Sequence, residues 1–98
     1  MSQPPYALTS HADVRTEMAS RYLQQLCKHF AHKIPAEFTS EKGTISFPFG
    51  TCALKADGDI LALDVSAATE EDLGRMRGVI ASHLERFAFR DTPTIAWN

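Results

Sequence analysis

The stretch Ile45-Ser-Phe-Pro-Phe-Gly-Thr-Cys-Ala-Leu-Lys-Ala-Asp-Gly-Asp-Ile-Leu-Ala-Leu-Asp-Val65 decides the fold class. Apolar residues alternate with polar or small ones along three segments: Ile45, Phe47 and Phe49; Cys52, Leu54 and Ala56; Leu61, Leu63 and Val65. A period of two is the mark of a strand with one buried face. Asp57-Gly58 is the strongest hairpin signal in the chain, and Gly50-Thr51 reads as the turn before it. Pro48 has no amide to donate, so it marks an edge, a bulge or the strand's end. Upstream, Ala36 to Thr39 forms a further strand with Ala36 and Phe38 inward. Ser40-Glu41-Lys42-Gly43 turns out of it, with Gly43 free to take positive φ. Successive hairpins make these strands antiparallel, and their common apolar face needs a cover.

Two helices supply the cover. In Thr16–Ile34, Ala19, Tyr22, Leu23, Leu26, Phe30 and Ile34 recur at the spacing of a one-faced helix over about 17–33, and Pro35 ends it. Thr69 followed by Glu70, Glu71 and Asp72 is a capping start for a second helix over about 70–88. Its apolar stripe is Leu73, Met76, Ile80, Leu84 and Phe87. Leu8 to Val14 reads as a first strand, with Leu8, Ala12 and Val14 on one side and Thr9, His11 and Asp13 on the other. Thr94 to Trp97 reads as a last strand with Ile95 and Trp97 inward. Residues 1–7, with Pro4-Pro5, read as a flexible tail, and residues 8–98 as a single domain. The order β-α-β-β-β-β-α-β predicts an α+β two-layer sandwich: a mainly antiparallel sheet with two helices on one face. Its element order is that of the TATA-binding-protein-like architecture, an analogy that carries no function. A ferredoxin-like sandwich with an added hairpin is the alternative.

Composition narrows the function classes. The chain has 98 residues, an apolar share of 44% and a formal net charge of −2. That balance gives no general attraction to nucleic acid or to an anionic membrane. The outward sheet positions Asp13, Glu37, Lys55 and Asp64 together carry a negative charge, opposite to a phosphate-binding face. No apolar run approaches the ~20 residues of a membrane helix, and the start lacks a secretory pattern, so a cytoplasmic location is expected. Cys27 and Cys52 are then expected as reduced thiols. Ile60, Ala62 and Ala96 form a mildly apolar outward patch that would suit a homodimer or an ordinary exposed sheet.

The densest chemical cluster is Cys27, His29 and His32, in Leu-Cys-Lys-His-Phe-Ala-His-Lys (26–33). His29 and His32 lie three apart, about 60° around the helix, and so are candidates to offer two nitrogens to one metal, with a third ligand needed from elsewhere. The competing reading is the solvated flank of an ordinary helix. Cys27 sits some 160° from His29 and cannot share a metal with it. Cys27 and Cys52 are small buried apolar residues, a redox pair, or half of a soft-metal site. His83 borders the second helix's stripe and reads as a partly buried structural residue. Arg86 and Arg90 suit the negative end of that helix's dipole. If the helices are aligned at their midpoints, His29 and His83 stand about 12 Å apart when antiparallel, or face different ways when parallel. On either count the pair is not expected to share a metal. No phosphate loop and no ordered catalytic set can be placed.

Three blocks resemble a known bacterial group: Tyr22-Leu-Gln-Gln-Leu-Cys-Lys-His-Phe-Ala-His-Lys33, Phe47-Pro-Phe-Gly-Thr-Cys52 and His83-Leu-Glu-Arg-Phe-Ala-Phe-Arg90. On these the chain resembles domain-of-unknown-function family 2218 from about Leu8 to Trp97. The resemblance implies a small cytoplasmic bacterial domain with no assigned activity and no catalytic residues to carry over. Some relatives accompany siderophore-interacting flavin reductases or are fused to them, which implies iron acquisition as a setting and such a reductase as a partner. The leading expectation is a non-catalytic binding or accessory module acting on a small ligand or protein partner. The alternative is a small metal-binding protein or enzyme using His29, His32 and, as a further participant, Cys52.

Overall fold

A computed structural model describes residues 8–88, 90, 91 and 93–98. The expected tail over residues 1–7 lies outside the described residues. The elements in chain order are β1 (Leu8–Arg15), α1 (Ala19–Ala31), β2 (Ala36–Phe38), β3 (Lys42–Phe47), β4 (Gly50–Asp57), β5 (Ile60–Ala67) and α2 (Glu70–Phe87). The strands form one antiparallel sheet in the order β1-β5-β4-β3-β2. Both helices cover the same face, α1 over β2, β3 and β4, and α2 mainly over β5 with β1 and β4 beside it. The chain is thus the expected α+β two-layer sandwich. The first strand pairs with the last because α1 carries the chain across the sheet, and the hairpins then step back toward β1.

The alternating residues meet the helical stripes as their periods require. Val14, Ile45, Cys52, Leu61, Leu63 and Val65 are fully buried, as are Leu23, Leu26, Cys27, Met76, Ile80 and Leu84, in one continuous cluster. Each large aliphatic side chain contributes roughly 1.5–3 kcal/mol by leaving water. Thr69 caps α2, its Oγ1 accepting from the Asp72 amide at 3.1 Å. Helix α1 is two residues shorter at each end than its periodicity suggests, and no side chain caps it. Thr16, just ahead of α1, is buried; its hydroxyl accepts from the Met18 amide at 3.0 Å and donates to Asp91 at 2.5 Å.

The turns fall differently from expectation at two places. Phe47 pairs with Gly50, so Pro48 and Phe49 form the two-residue loop and Gly50 already belongs to β4. Pro48 therefore marks the strand's end. Gly50 is needed for space: a Cβ there would lie 2.5 Å from the Ser66 carbonyl oxygen. Gly43 is not a turn residue either. It lies inside β3 between Phe38 and Leu54, and a Cβ would stand 2.7 Å from Cys27 Sγ. Strand β3 passes so close beneath α1 that only hydrogen fits. Positive φ occurs among the described glycines at Gly58, in the Gly58-Asp59 loop of the predicted hairpin.

The predicted last strand, Thr94 to Trp97, is not a strand. Residues 93–98 carry no regular structure and reach β1 at Asn98, whose amide donates to the His11 carbonyl at 3.0 Å. Asn98 Oδ1 accepts from the His11 amide at 3.2 Å, and the Asn98 carbonyl accepts from Ser10 Oγ at 2.8 Å. Pro93 cannot donate, and bonds at one residue do not make a ladder. Ile95 and Trp97 nevertheless pack against the core as expected.

Candidate functional site: a histidine-aromatic groove between the helices

Helix α1 turns Leu23, Leu26 and Cys27 to the sheet, which leaves His29 on the flank toward α2. Helix α2 likewise buries Ile80 and Leu84 and presents His83 and Phe87 along the same seam. The helices run antiparallel here: Tyr22 and Gln25 line a hollow with Phe87 and Arg90, whereas His29, one turn further along α1, meets His83, one turn back along α2. The His29 and His83 ring centroids are 4.9 Å apart at 47°.

This corrects the expected separation of the two histidines. That figure assumed helices aligned at their midpoints. Helix α2 has 18 residues against 13 in α1, and its C-terminal half lies against the middle and end of α1. The slide cancels the axial offset and brings the two rings together.

Other rings extend the contact. Phe87 meets His29 at 5.7 Å and Phe30 meets His29 at 5.0 Å, both edge-on. Phe30 also lies 4.8 Å from His83 and 4.9 Å from Phe47, which in turn lies 5.4 Å from Phe49. The Arg75 guanidinium caps the far end, 4.1 Å above the Phe49 ring, a cation–π placement. Phe30 is thus half-buried within an aromatic row rather than enclosed in the core.

A concavity of about 390 Å³ opens beside this row, lined by His29, Phe30, His32, Lys33 and His83, within the range of small-ligand sites. Its electrostatics are one-sided. The His29 imidazole is held below its ordinary pKa, first by loss of hydration and then by His83, Arg86, His32 and Lys33. Every charge in that set is positive. His83 Nδ1 lies 2.7 Å from the Val79 carbonyl. A carbonyl only accepts, so Nδ1 carries a hydrogen.

Of the predicted site residues, His29 and His32 line this concavity, with His32 exposed at the end of α1. Cys52 does not line it. It lies on β4 fully buried, as is Cys27 on α1, and both are free thiols. Burial pushes the Cys27 thiol up to about 11 and the Cys52 thiol further up. Among the described residues, no three of His, Cys, Asp and Glu are grouped to hold a metal. A larger, shallower hollow of about 600 Å³ follows the solvent face of α1 past Glu17, Arg21, Gln24 and Lys28, where charges of both signs mix.

A second constellation lies on the open sheet face. His11 contacts Asp64 through Nδ1 at 2.6 Å and Asp13 through Nε2 at 2.8 Å. Both carboxylates favour the imidazolium, Asp64 the more strongly, and raise its pKa. His11 and Asp13 share a face by strand period, a signal present in the sequence. Asp64 joins them only because β1 and β5 pair His11 with Asp64 across the strands.

No curated protein matches the chain. The NMR structure of PA4090 from Pseudomonas aeruginosa is similar to it, at 40% identity and a TM-score of 0.78 over 92% of this chain and 94% of that one. Among the described residues no helix is long and apolar enough to cross a membrane. Residues 11–98 match the family described as uncharacterized protein conserved in bacteria, and the chain therefore belongs to that family, DUF2218.

Proposed function

We propose that the protein is a non-catalytic binding module whose groove between α1 and α2 takes a small planar organic anion. The observation that carries this reading is the row of rings His29, Phe30, His83 and Phe87, in which the charged groups acting on His29 are all positive. Stacked or edge-on rings favour a flat apolar body, and Lys33 and Arg86 favour a carboxylate or phosphate at its margin. The siderophore and flavin-reductase setting implied by resemblance enters no step of this reading.

The test compares 2-naphthoate with uncharged 2-naphthol by NMR titration in the presence of EDTA. Saturable shifts at the His29 and His83 rings are expected with the carboxylate, weakened by added salt and by Arg86→Ala. Equal binding of the uncharged compound, or no saturable shift with either, would refute the reading.

A further inference from the structure

We infer that the seam between α1 and α2 continues into a second anion subsite beside Phe87, and that the ligand it suits is an elongated aromatic dianion. The inference rests on the anion reading of the His29 groove and extends it to a ligand with an acidic group at each end.

Continuity of the seam carries it. Phe87 meets His29 edge-on at 5.7 Å. The same ring lines a second hollow of about 330 Å³ with Met18, Arg21, Tyr22, Gln25 and Arg90. One ring therefore walls both spaces, and each space alone is at the small end of ligand sites. The chemistry of the first groove repeats in the second. Phe87, Tyr22 and Met18 offer apolar surface, and Met18 is the large apolar side chain left exposed at this end of the seam. Arg21 and Arg90 bring guanidiniums, whose planar fork suits a carboxylate.

Stability does not account for Arg21. It stands in the first turn of α1, which holds no acidic residue and where a cation opposes the helix dipole. Among the described residues it enters no ion pair. Asp91 opposes an anion at this end, but its carboxylate is engaged by the Thr16 hydroxyl at 2.5 Å and acts on Tyr22. Glu17 lines the neighbouring shallow hollow instead. Spacing sets the length of the ligand. Arg21 lies eight residues before His29, about 12 Å along the helix axis. A ligand that lies on His29 and meets Arg21 must pass Phe87. Acidic groups at opposite ends of a rigid ring system satisfy that distance, with Lys33 or Arg86 at one end and Arg21 at the other.

The experiment is calorimetric titration of the full chain, in EDTA, with 2-naphthoate and with 2,6-naphthalenedicarboxylate at low and high salt. Circular dichroism of the variant checks that it folds. The dicarboxylate is expected to bind about tenfold more tightly than the monoanion, the scale of one added charge-assisted contact. Added salt should narrow that ratio. In Arg21→Gln, which keeps a polar side chain that suits a helix, the two ligands should bind within about threefold of each other. A ratio below about threefold in the unaltered chain, or a ratio that folded Arg21→Gln leaves unchanged, would overturn the inference. Saturable 2-naphthoate binding without a gain for the dicarboxylate removes the second subsite and leaves the anion reading in place. Absence of binding by either ligand removes the anion reading and the inference with it.

Discussion

Gly43→Ala tests how closely α1 lies on β3. The added methyl would stand 2.7 Å from Cys27 Sγ and 3.3 Å from both Leu23 Cδ2 and Phe38 Cβ. Cys27, Leu23 and Gly43 are all buried, so no neighbour can swing into solvent. Overpacking of this kind costs roughly 1–3 kcal/mol. Replacing glycine within a strand returns about 0.5–1 kcal/mol of backbone entropy, so the net loss should be about 0.5–2 kcal/mol. Cys27→Ala alone removes the buried sulfur and leaves a small void, at a cost of about 1–2 kcal/mol. In the double variant the new methyl enters the space the sulfur left. The two losses should then fail to add, with a favourable coupling of about 1 kcal/mol or more. Urea unfolding of all four proteins closes the cycle. Each kcal/mol corresponds to a shift of about 4–8 °C in Tm for a domain of this size, which gives a second readout. Additivity within about 0.3–0.5 kcal/mol would show that Gly43 and Cys27 are not in contact, and would refute the close approach of helix and strand.

Cys27 and Cys52 should react slowly with a thiol reagent under native conditions and quickly in urea; fast native labelling of both would contradict their burial. Because folding raises both thiol pKa values, their contribution to stability is present below the unfolded value of about 8.5 and is lost as pH rises through about 11 for Cys27. Tm should fall across that window, and less so in Cys27→Ala. In an NMR pH titration His29 should lose its proton below the ordinary histidine value and His11 above it, with the reverse order refuting both environments. His11 thus favours the fold at low pH and loses that effect as pH rises through its own pKa, whereas His29 favours it at high pH and loses that effect as pH falls. Thr69→Ala should cost about 1 kcal/mol in urea unfolding through loss of the α2 cap, and no change would mean that the bond to Asp72 contributes nothing.

Apart from the last strand expected over Thr94 to Trp97, the elements and their faces were legible in the sequence because each depends on neighbours a few residues away. Alternation along Cys52, Leu54 and Ala56 and along Leu61, Leu63 and Val65 marked their strands. The stripe from Ala19 to Leu26 marked α1, Asp57-Gly58 the hairpin between β4 and β5, and Thr69 the cap of α2. The seating of elements on one another was not legible. Gly43 and Gly50 look like turn residues until the helices are in place, when each proves to be where a side chain has no room. The pairing of His11 with Asp64 depends on a register between β1 and β5 set across 53 residues. The meeting of His29 with His83 depends on how far α2 slides along α1. Helical periodicity specifies an angle around an axis and leaves the position along it free; the shapes of the two packed faces decide that position, and with it the candidate site.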